Sequence, residues 1–194
     1  MANVNRINGF KPVKHINGSP YSGQSETFYK AAGTTVTHDL FVGDLVYPSG
    51  SGDANGVPGV VVATAGKGAM ILGVIVGIKP QPAHLDRNNW IDGADAGYVE
   101  VCTDPSVILE AQVDDTLTYT DLFNNTNMVV TQAGSRTSGA SGQQIDATVN
   151  TSATNQLKIV GFPQRDDNVI GATYNKAYVT INQHVLGNAG IAGL

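Results

Sequence analysis

Short apolar runs bounded by glycine recur along the chain from residue 40 onward. They are rich in valine and isoleucine, which is the pattern of β-strands joined by tight turns. Gly73 and Gly77 fall inside one run and are expected to mark bulges or tight bends where a barrel turns a corner. The pattern predicts strands at residues 40–46, 57–62, 70–78, 98–102, 107–112, 117–119, 156–164 and 176–185.

Polar segments separate the later runs. The sequence "TDLFNNTN" predicts a single helical turn capped by Thr120. Residues 131–156 form the most polar stretch and predict an exposed excursion, such as a long hairpin tip. In the strand that follows, Leu157, Ile159 and Val160 are candidates to face inward. Together these features predict an all-β chain built around an antiparallel β-barrel with a long polar loop excursion.

The first 33 residues follow a different pattern, because they have no sustained apolar period. Pro12 and Pro20 each interrupt a helix or a strand ladder. Disordered tails are normally poor in aromatic residues. This segment carries four rings, at Phe10, Tyr21, Phe28 and Tyr29. We therefore divide the chain into an extended N-terminal arm, residues 1–33, and a β-barrel domain, residues 34–194. The arm is expected to lie along a surface, either its own barrel or a neighbouring subunit.

The composition agrees with a β fold and argues against two classes of partner, nucleic acids and membranes. Charged residues make up 14% of the chain against roughly a quarter in ordinary globular proteins. The net charge is −5, and no run of lysine or arginine could follow a phosphate backbone, so we expect no nucleic-acid partner. The longest apolar segment, "AMILGVIVGI", is about half of what spans a bilayer, and no signal sequence is visible. We expect synthesis in the cytoplasm and no membrane partner.

Two single residues have structural interpretations. Cys102 is the one cysteine and lies in an apolar run, so we expect a small buried side chain and no intramolecular disulfide. Trp90 lies between polar neighbours and is either a loop anchor folded back on the barrel or an exposed ring at an interface, the anchor being favoured.

Known catalytic motifs are incomplete in this sequence. "TAGKGAM" lacks the first glycine of a phosphate-binding loop and the hydroxyl residue after Lys67, so we interpret it as a hairpin turn. "SGASGQ" has Gln143 where a nucleophile elbow needs glycine. We therefore expect a protein that is not an enzyme.

Neither the histidines nor the carboxylates have metal-ligand spacing. The four histidines are isolated from one another: His15, His38, His84 and His184. Aspartates crowd the loop that contains "DRNNWIDG", but they lack the alternating spacing of a calcium loop. We expect no bound metal and no cofactor. A hydrolase that pairs loop carboxylates is an alternative, which requires these groups to converge in one pocket.

Several stretches resemble the capsid decoration, or cement, proteins of tailed bacteriophages, especially the short-tailed, podovirus-like ones. They are "NRINGFKPVKHINGSPYSGQ", "FVGDLV", "GVPGVVVATAGKGAMILGVIVGI" and "QLKIVGFPQRDDNVIGATYNKAYVTINQHV". The resemblance covers nearly the whole chain and rests on the order and spacing of these stretches. It implies a β-barrel or tulip-like β domain that assembles as a homotrimer.

The resemblance also implies a function and partners. Such a protein binds the outer surface of the expanded icosahedral capsid and stabilises contacts between major capsid protein subunits. The predicted partner-binding residues of the arm are Phe10, Pro12, Tyr21, Phe28 and Tyr29. The main alternative is a glycan- or receptor-binding module of a phage fibre, in which residues 131–156 contact the ligand.

Overall fold

A computed structural model describes residues 3–33, 38–87, 89–187 and 190–194. The chain is all-β, as predicted, and this part of it contains one 3₁₀ turn, Tyr119–Asp121, and no α-helix. No helix within these ranges is long and apolar enough to cross a membrane. The strands are β1 Lys11–His15, β2 Glu26–Lys30, β3 Leu40–Phe41, β4 Leu45–Gly52, β5 Pro58–Val62, β6 Gly73–Ile78, β7 Trp90–Ile91, β8 Gly97–Cys102, β9 Val107–Gln112, β10 Asn125–Thr126, β11 Met128–Val130, β12 Gln143–Ile145, β13 Leu157–Gly161 and β14 Lys176–Ile181.

Two larger sheets organise the molecule. One is an antiparallel sheet of five strands in the order β1-β9-β14-β13-β10. The other is a closed, barrel-like ring in the order β2-β5-β4-β6-β8, in which only the β2–β5 pair is parallel. Short pairs, β3–β7 and β11–β12, lie beside them. The described residues form two hydrophobic clusters: one lies on the five-stranded sheet and also takes in Leu45, Val74 and Cys102 of the ring, and the other lies inside the ring.

The predicted glycines in β6 both have a structural reason. The register between β6 and β8 shifts between Ile75 and Gly77, which confirms a bulge at Gly77. At Gly73 the reason is a close approach, because a Cβ atom built there would lie 2.0 Å from the carbonyl oxygen of Cys102. Any larger residue at Gly73 would therefore push β6 away from β8.

The first 33 residues are not an arm without strands, and this interpretation is corrected. β1 pairs with β9 at the edge of the five-stranded sheet, and β2 pairs with β8 in the ring. Pro12 is tolerated because β1 is an edge strand, which has no neighbouring strand on one side and therefore needs fewer main-chain donors. The segment therefore joins the two sheets instead of lying outside them.

Gly9 and Gly43 make this joining possible. The amide of Phe10 donates to the carbonyl oxygen of Gly43 at 2.8 Å. A Cβ atom at Gly9 would lie 2.5 Å from that same oxygen, and both glycines have positive φ angles. The two backbones therefore cross at a distance that only glycine permits, and Phe10 enters the core of the five-stranded sheet, where it is 1% exposed.

The polar excursion is confirmed only in its first part. Residues 131–138 are mostly exposed, but residues 139–145 include β12 and are mostly buried. Gln143 and Gln144 are 2% and 1% exposed, and Gln156, near the end of the excursion, is 0% exposed. These side-chain amides hydrogen-bond main-chain groups that have no strand partner there. Gln156, for example, donates to the carbonyl oxygens of Thr64 and Ala69 at 2.8 and 3.2 Å. A neutral amide can be buried when both of its ends are hydrogen-bonded.

The predicted strand at 117–119 is also wrong. The carboxylate of Asp121 accepts hydrogen bonds from the amide and the hydroxyl of Thr118 at 2.7 and 2.9 Å, which closes the 3₁₀ turn. Thr118, rather than Thr120, therefore occupies the position before the turn. Leu117 is paired with the side chain of Asn175 instead of with a strand.

Candidate functional site

A groove of about 720 Å³ lies where the outward side chains of β4 and β5 meet residues 130–134. Val46 and Val60 face the core of the ring, while Tyr47 and Val61 form a cross-strand pair that points outward. The lining residues are His38, Asp39, Phe41, Asp44, Tyr47, residues 61–64, residues 130–134, Arg136, Gly142 and Gln143. We call this cavity the groove.

The floor of the groove is apolar and accessible. Tyr47 is 39% exposed and Val130, at the end of β11, is 51% exposed. Val61 and Val62 lie between them and are half-buried. Large apolar side chains that share one concave surface are typical of a binding face.

A network of charges fixes one wall of the groove. The guanidinium of Arg136 donates to both carboxylate oxygens of Asp39, at 2.7 and 2.9 Å, and lies 3.2 Å from the carboxylate of Asp92. The hydrogen bonds that Arg136 donates to Asp39 raise the pKa of Arg136, so the guanidinium stays charged. The side chain of Arg136 is 56% exposed, so these ion pairs contribute little to the free energy of unfolding. Their effect is to fix the conformation of the loop.

Trp90 anchors this wall, as the favoured interpretation of the sequence proposed. Its ring stacks on Phe41 with centroids 6.3 Å apart and an interplanar angle of 22°. The guanidinium carbons of Arg87 and Arg136 each lie 4.8 Å from the indole ring. Loops that are distant in the sequence therefore meet on one aromatic side chain.

A buried carboxyl group supports the base of the groove. Asp44 is 3% exposed and accepts hydrogen bonds from the hydroxyl of Ser141 at 2.6 Å and the amide of Phe41 at 2.8 Å. Burial raises the pKa of Asp44 to about 6, although both hydrogen bonds favour the ionised form. Asp44 thus ties the β3–β4 turn to the loop that precedes β12.

The five predicted contact residues have different surroundings. Phe10 and Phe28 are 1% and 7% exposed and lie in the two cores, so neither ring is available to a partner in this fold. Pro12, Tyr21 and Tyr29 keep partly exposed surfaces, and their role in partner binding stays a prediction. None of the five lines the groove, whose larger apolar residues belong to β3, β4, β5 and β11. The sequence did not identify those residues because an outward valine in a strand looks like a core valine.

One polar cluster near β1 resembles a nucleophilic site but does not have its geometry. The Nδ1 atom of His15 lies 3.2 Å from both the Asp104 carboxylate and the Ser106 hydroxyl. A relay needs the two ring nitrogens to face different partners. Burial raises the pKa of the nearby Cys102 thiol, and burial also raises the pKa of Tyr21 to about 12. The Cys102 thiol and the Tyr21 hydroxyl therefore stay protonated at neutral pH.

Within the described ranges, no three His, Cys, Asp or Glu side chains come together closely enough to hold a metal ion. Comparison of the chain with protein families, with curated proteins and with solved structures finds no match.

Proposed function

We propose that this chain is a structural virion protein of a short-tailed bacteriophage, a decoration or cement protein. It binds the outer surface of the expanded icosahedral capsid and stabilises contacts between major capsid subunits, acting as a homotrimer. The proposal combines the sequence resemblance with one structural observation. That observation is the groove, in which Tyr47, Val61 and Val130 form an apolar floor between walls that hydrogen bonds and Trp90 hold in place.

A rigid apolar groove binds a protein segment more tightly than a flexible groove with the same surface. Its walls are already ordered, so binding costs little conformational entropy. Apolar area removed from water contributes about 25 cal/mol per Å² before such costs. The groove thus provides the adhesive surface that a decoration protein requires.

Binding of this kind stabilises the capsid through linkage. A ligand that binds only the assembled, expanded lattice stabilises it by about 2.7 kcal/mol per site at a concentration 100 times its Kd. A protein that contacts two or more capsid subunits gains further affinity from multivalency. Disassembly then requires the loss of these contacts.

The substitution Val130→Lys tests the groove. Val130 is half-exposed at the end of β11, so lysine there is compatible with folding, but a bound partner would bury its charge. We expect the Kd for stripped, expanded capsids to rise at least about tenfold in a cosedimentation assay. Val169→Lys is the matched control, because Val169 is 41% exposed on a loop outside the groove. Equal capsid binding by the Val130→Lys variant and the wild type would contradict the proposal.

A glycan-binding module is the alternative that the groove also supports. Tyr47 offers an aromatic face, and Asp39, Thr131 and Arg136 place polar groups beside it, which is a combination that sugars require. Glycan arrays distinguish the two functions. A saturable array signal that Val130→Lys abolishes, together with no capsid binding by the wild type, would favour the glycan module.

A further inference from the structure

A second cavity of about 410 Å³ lies on another part of the ring. Tyr29 of β2 and Tyr98 of β8 form a cross-strand pair that lines it, while their neighbours Phe28 and Val99 face the core. The other lining residues are 80–84 and 95–97. We call this cavity the tyrosine pocket. Tyr29 was predicted from the sequence as a partner-binding residue, and here its ring borders a cavity.

The two tyrosine rings present electron-rich faces. Their centroids are 5.5 Å apart with an interplanar angle of 51°, so the pair is tilted rather than stacked. The hydroxyl of Tyr98 donates to the carboxylate of Asp53 at 2.7 Å. A phenol that donates to a carboxylate gains electron density in its ring, which strengthens the attraction of a cation to the ring face.

Most charged groups around the pocket are paired, and the buried ammonium of Lys30 donates to main-chain carbonyl oxygens. Lys79 pairs with Glu100 at 3.2 Å, and Asp95 is shared by Arg87 and by His84, whose Nε2 is 3.3 Å away. Asp53 has no Lys, Arg or His within salt-bridge distance among the described residues. The hydrogen bond from Tyr98 lowers the pKa of Asp53, so this carboxylate is ionised at neutral pH. Asp53 also accepts hydrogen bonds from the amides of Asn55 and Val57 at 2.9 and 2.8 Å, so it is a carboxylate without a cationic partner at the Tyr98 end of the pocket.

The walls of the pocket are held in place before any ligand arrives. Lys30, 1% exposed, donates from Nζ to the carbonyl oxygens of Gly93 and Asp95 at 3.0 and 2.9 Å. On the other side, Gln81 donates from Nε2 to the carbonyl oxygen of Trp90 at 3.0 Å. The loops 80–84 and 95–97 are thus tied to buried groups, and the cavity does not need to form on binding.

We propose that the tyrosine pocket binds an arginine or lysine side chain of a protein partner, with the cation against the faces of Tyr29 and Tyr98 and close to the carboxylate of Asp53. Electron-rich rings, an unpaired carboxylate and ordered walls are the features that recognise a desolvated cation. The identity of the partner as the major capsid protein rests on the proposed function, but the chemistry of the pocket does not.

A small cationic probe tests the pocket without a capsid. Nα-acetylarginine amide is titrated into the ¹⁵N-labelled full chain at low ionic strength, with the neutral analogue Nα-acetylcitrulline amide in parallel. We expect saturable, millimolar shifts of the amide signals of residues 95–98 with the arginine probe only. Asp53→Asn should raise the probe Kd severalfold, and Tyr29→Ala should abolish the saturable shifts. Asp166→Asn, which removes an equal charge from an exposed loop, is the control and should leave the Kd unchanged.

Equal shifts with the two probes, or shifts that are not localised to the pocket, would overturn the proposal. If Asp53→Asn disturbs its turn, Tyr98→Phe provides the second variant, because it keeps the ring and removes only the hydroxyl that contacts Asp53. It should weaken the arginine probe in the same direction, and an unchanged Kd would count against the proposal. Probe binding without any capsid binding would retain the pocket and reject the capsid as partner.

Discussion

Asp44 shows how one buried side chain combines structure with a pH response. Its carboxyl group connects the amide of Phe41 to the hydroxyl of Ser141 beneath the groove. The cost of burying its charge exceeds the benefit of both hydrogen bonds, so the pKa of Asp44 rises to about 6. The sequence offered no sign of this, since "FVGDLV" resembles an ordinary turn between two short strands.

The raised pKa predicts a specific dependence of stability on pH. A carboxyl group with a higher pKa in the folded state binds protons more tightly there, so its contribution to stability is full below about pH 4. That contribution is lost as the pH rises through about 6, and it amounts to about 3 kcal/mol because each pKa unit corresponds to about 1.4 kcal/mol.

Urea unfolding of the wild type and of Asp44→Asn at pH 4 and pH 7 measures this contribution. Other carboxylates, such as Asp92 and Asp104, have lowered pKa values, so they stabilise the fold more as the pH rises. The contribution of Asp44 is therefore the difference between the wild type and Asp44→Asn. We expect the free energy of unfolding of the wild type, relative to Asp44→Asn, to fall by about 2 kcal/mol between these pH values, because at pH 4 the unfolded carboxyl group is already partly ionised. Parallel pH profiles would contradict this assignment.

At the scale of elements, the strands with apolar runs were predictable and the contacts of the N-terminal segment were not. β9 was predicted at its observed bounds, because the apolar run Val107, Ile108 and Leu109 opens it and turn residues flank it. β1 and β2 were missed, because proline and lysine in β1 suit an edge strand and look like a loop in the sequence. The two strands are stabilised by contacts with β9 and β8, which only the fold supplies.

The buried amides explain the other failure at this scale. Residues 139–145 have the composition of an exposed loop, yet Ser141 and Gln143 are 2% exposed and bind main-chain and side-chain groups beneath the groove. Sequence reasoning assigns polar side chains to the surface because a lone polar group is costly to bury. It cannot identify partners from distant segments, so the wall of the groove was not predicted.

Phe10→Ala tests whether the N-terminal segment belongs to the fold. The ring of Phe10 is fully buried in the core of the five-stranded sheet, so its removal leaves a cavity and should cost about 3–5 kcal/mol of unfolding free energy in the isolated protein. Thermal or urea denaturation measures the loss. Tyr29→Ala, with a half-exposed ring, should cost clearly less. If Phe10→Ala left stability unchanged, the segment would be a separate arm after all.

At the scale of the whole molecule, one chain segment holds two sheets together. Residues 10–30 place a strand in each sheet and an aromatic ring in each core. The groove and the tyrosine pocket lie on the outer face of the ring, so both can contact a partner while the second sheet supports the ring. This arrangement suits a clamp, because the force on one contact is transmitted through packed sheets rather than through a flexible linker.

The central claim is that this body binds the outer surface of an expanded capsid through the groove. Cryo-electron microscopy of stripped, expanded capsids incubated with the full chain tests it most directly. We expect ordered density outside the shell, in which the groove formed by Tyr47, Val61 and Val130 contacts the major capsid protein. Each copy or trimer should contact at least two capsid subunits. Shells without added density at saturating protein, or density in which the groove faces solvent, would contradict it.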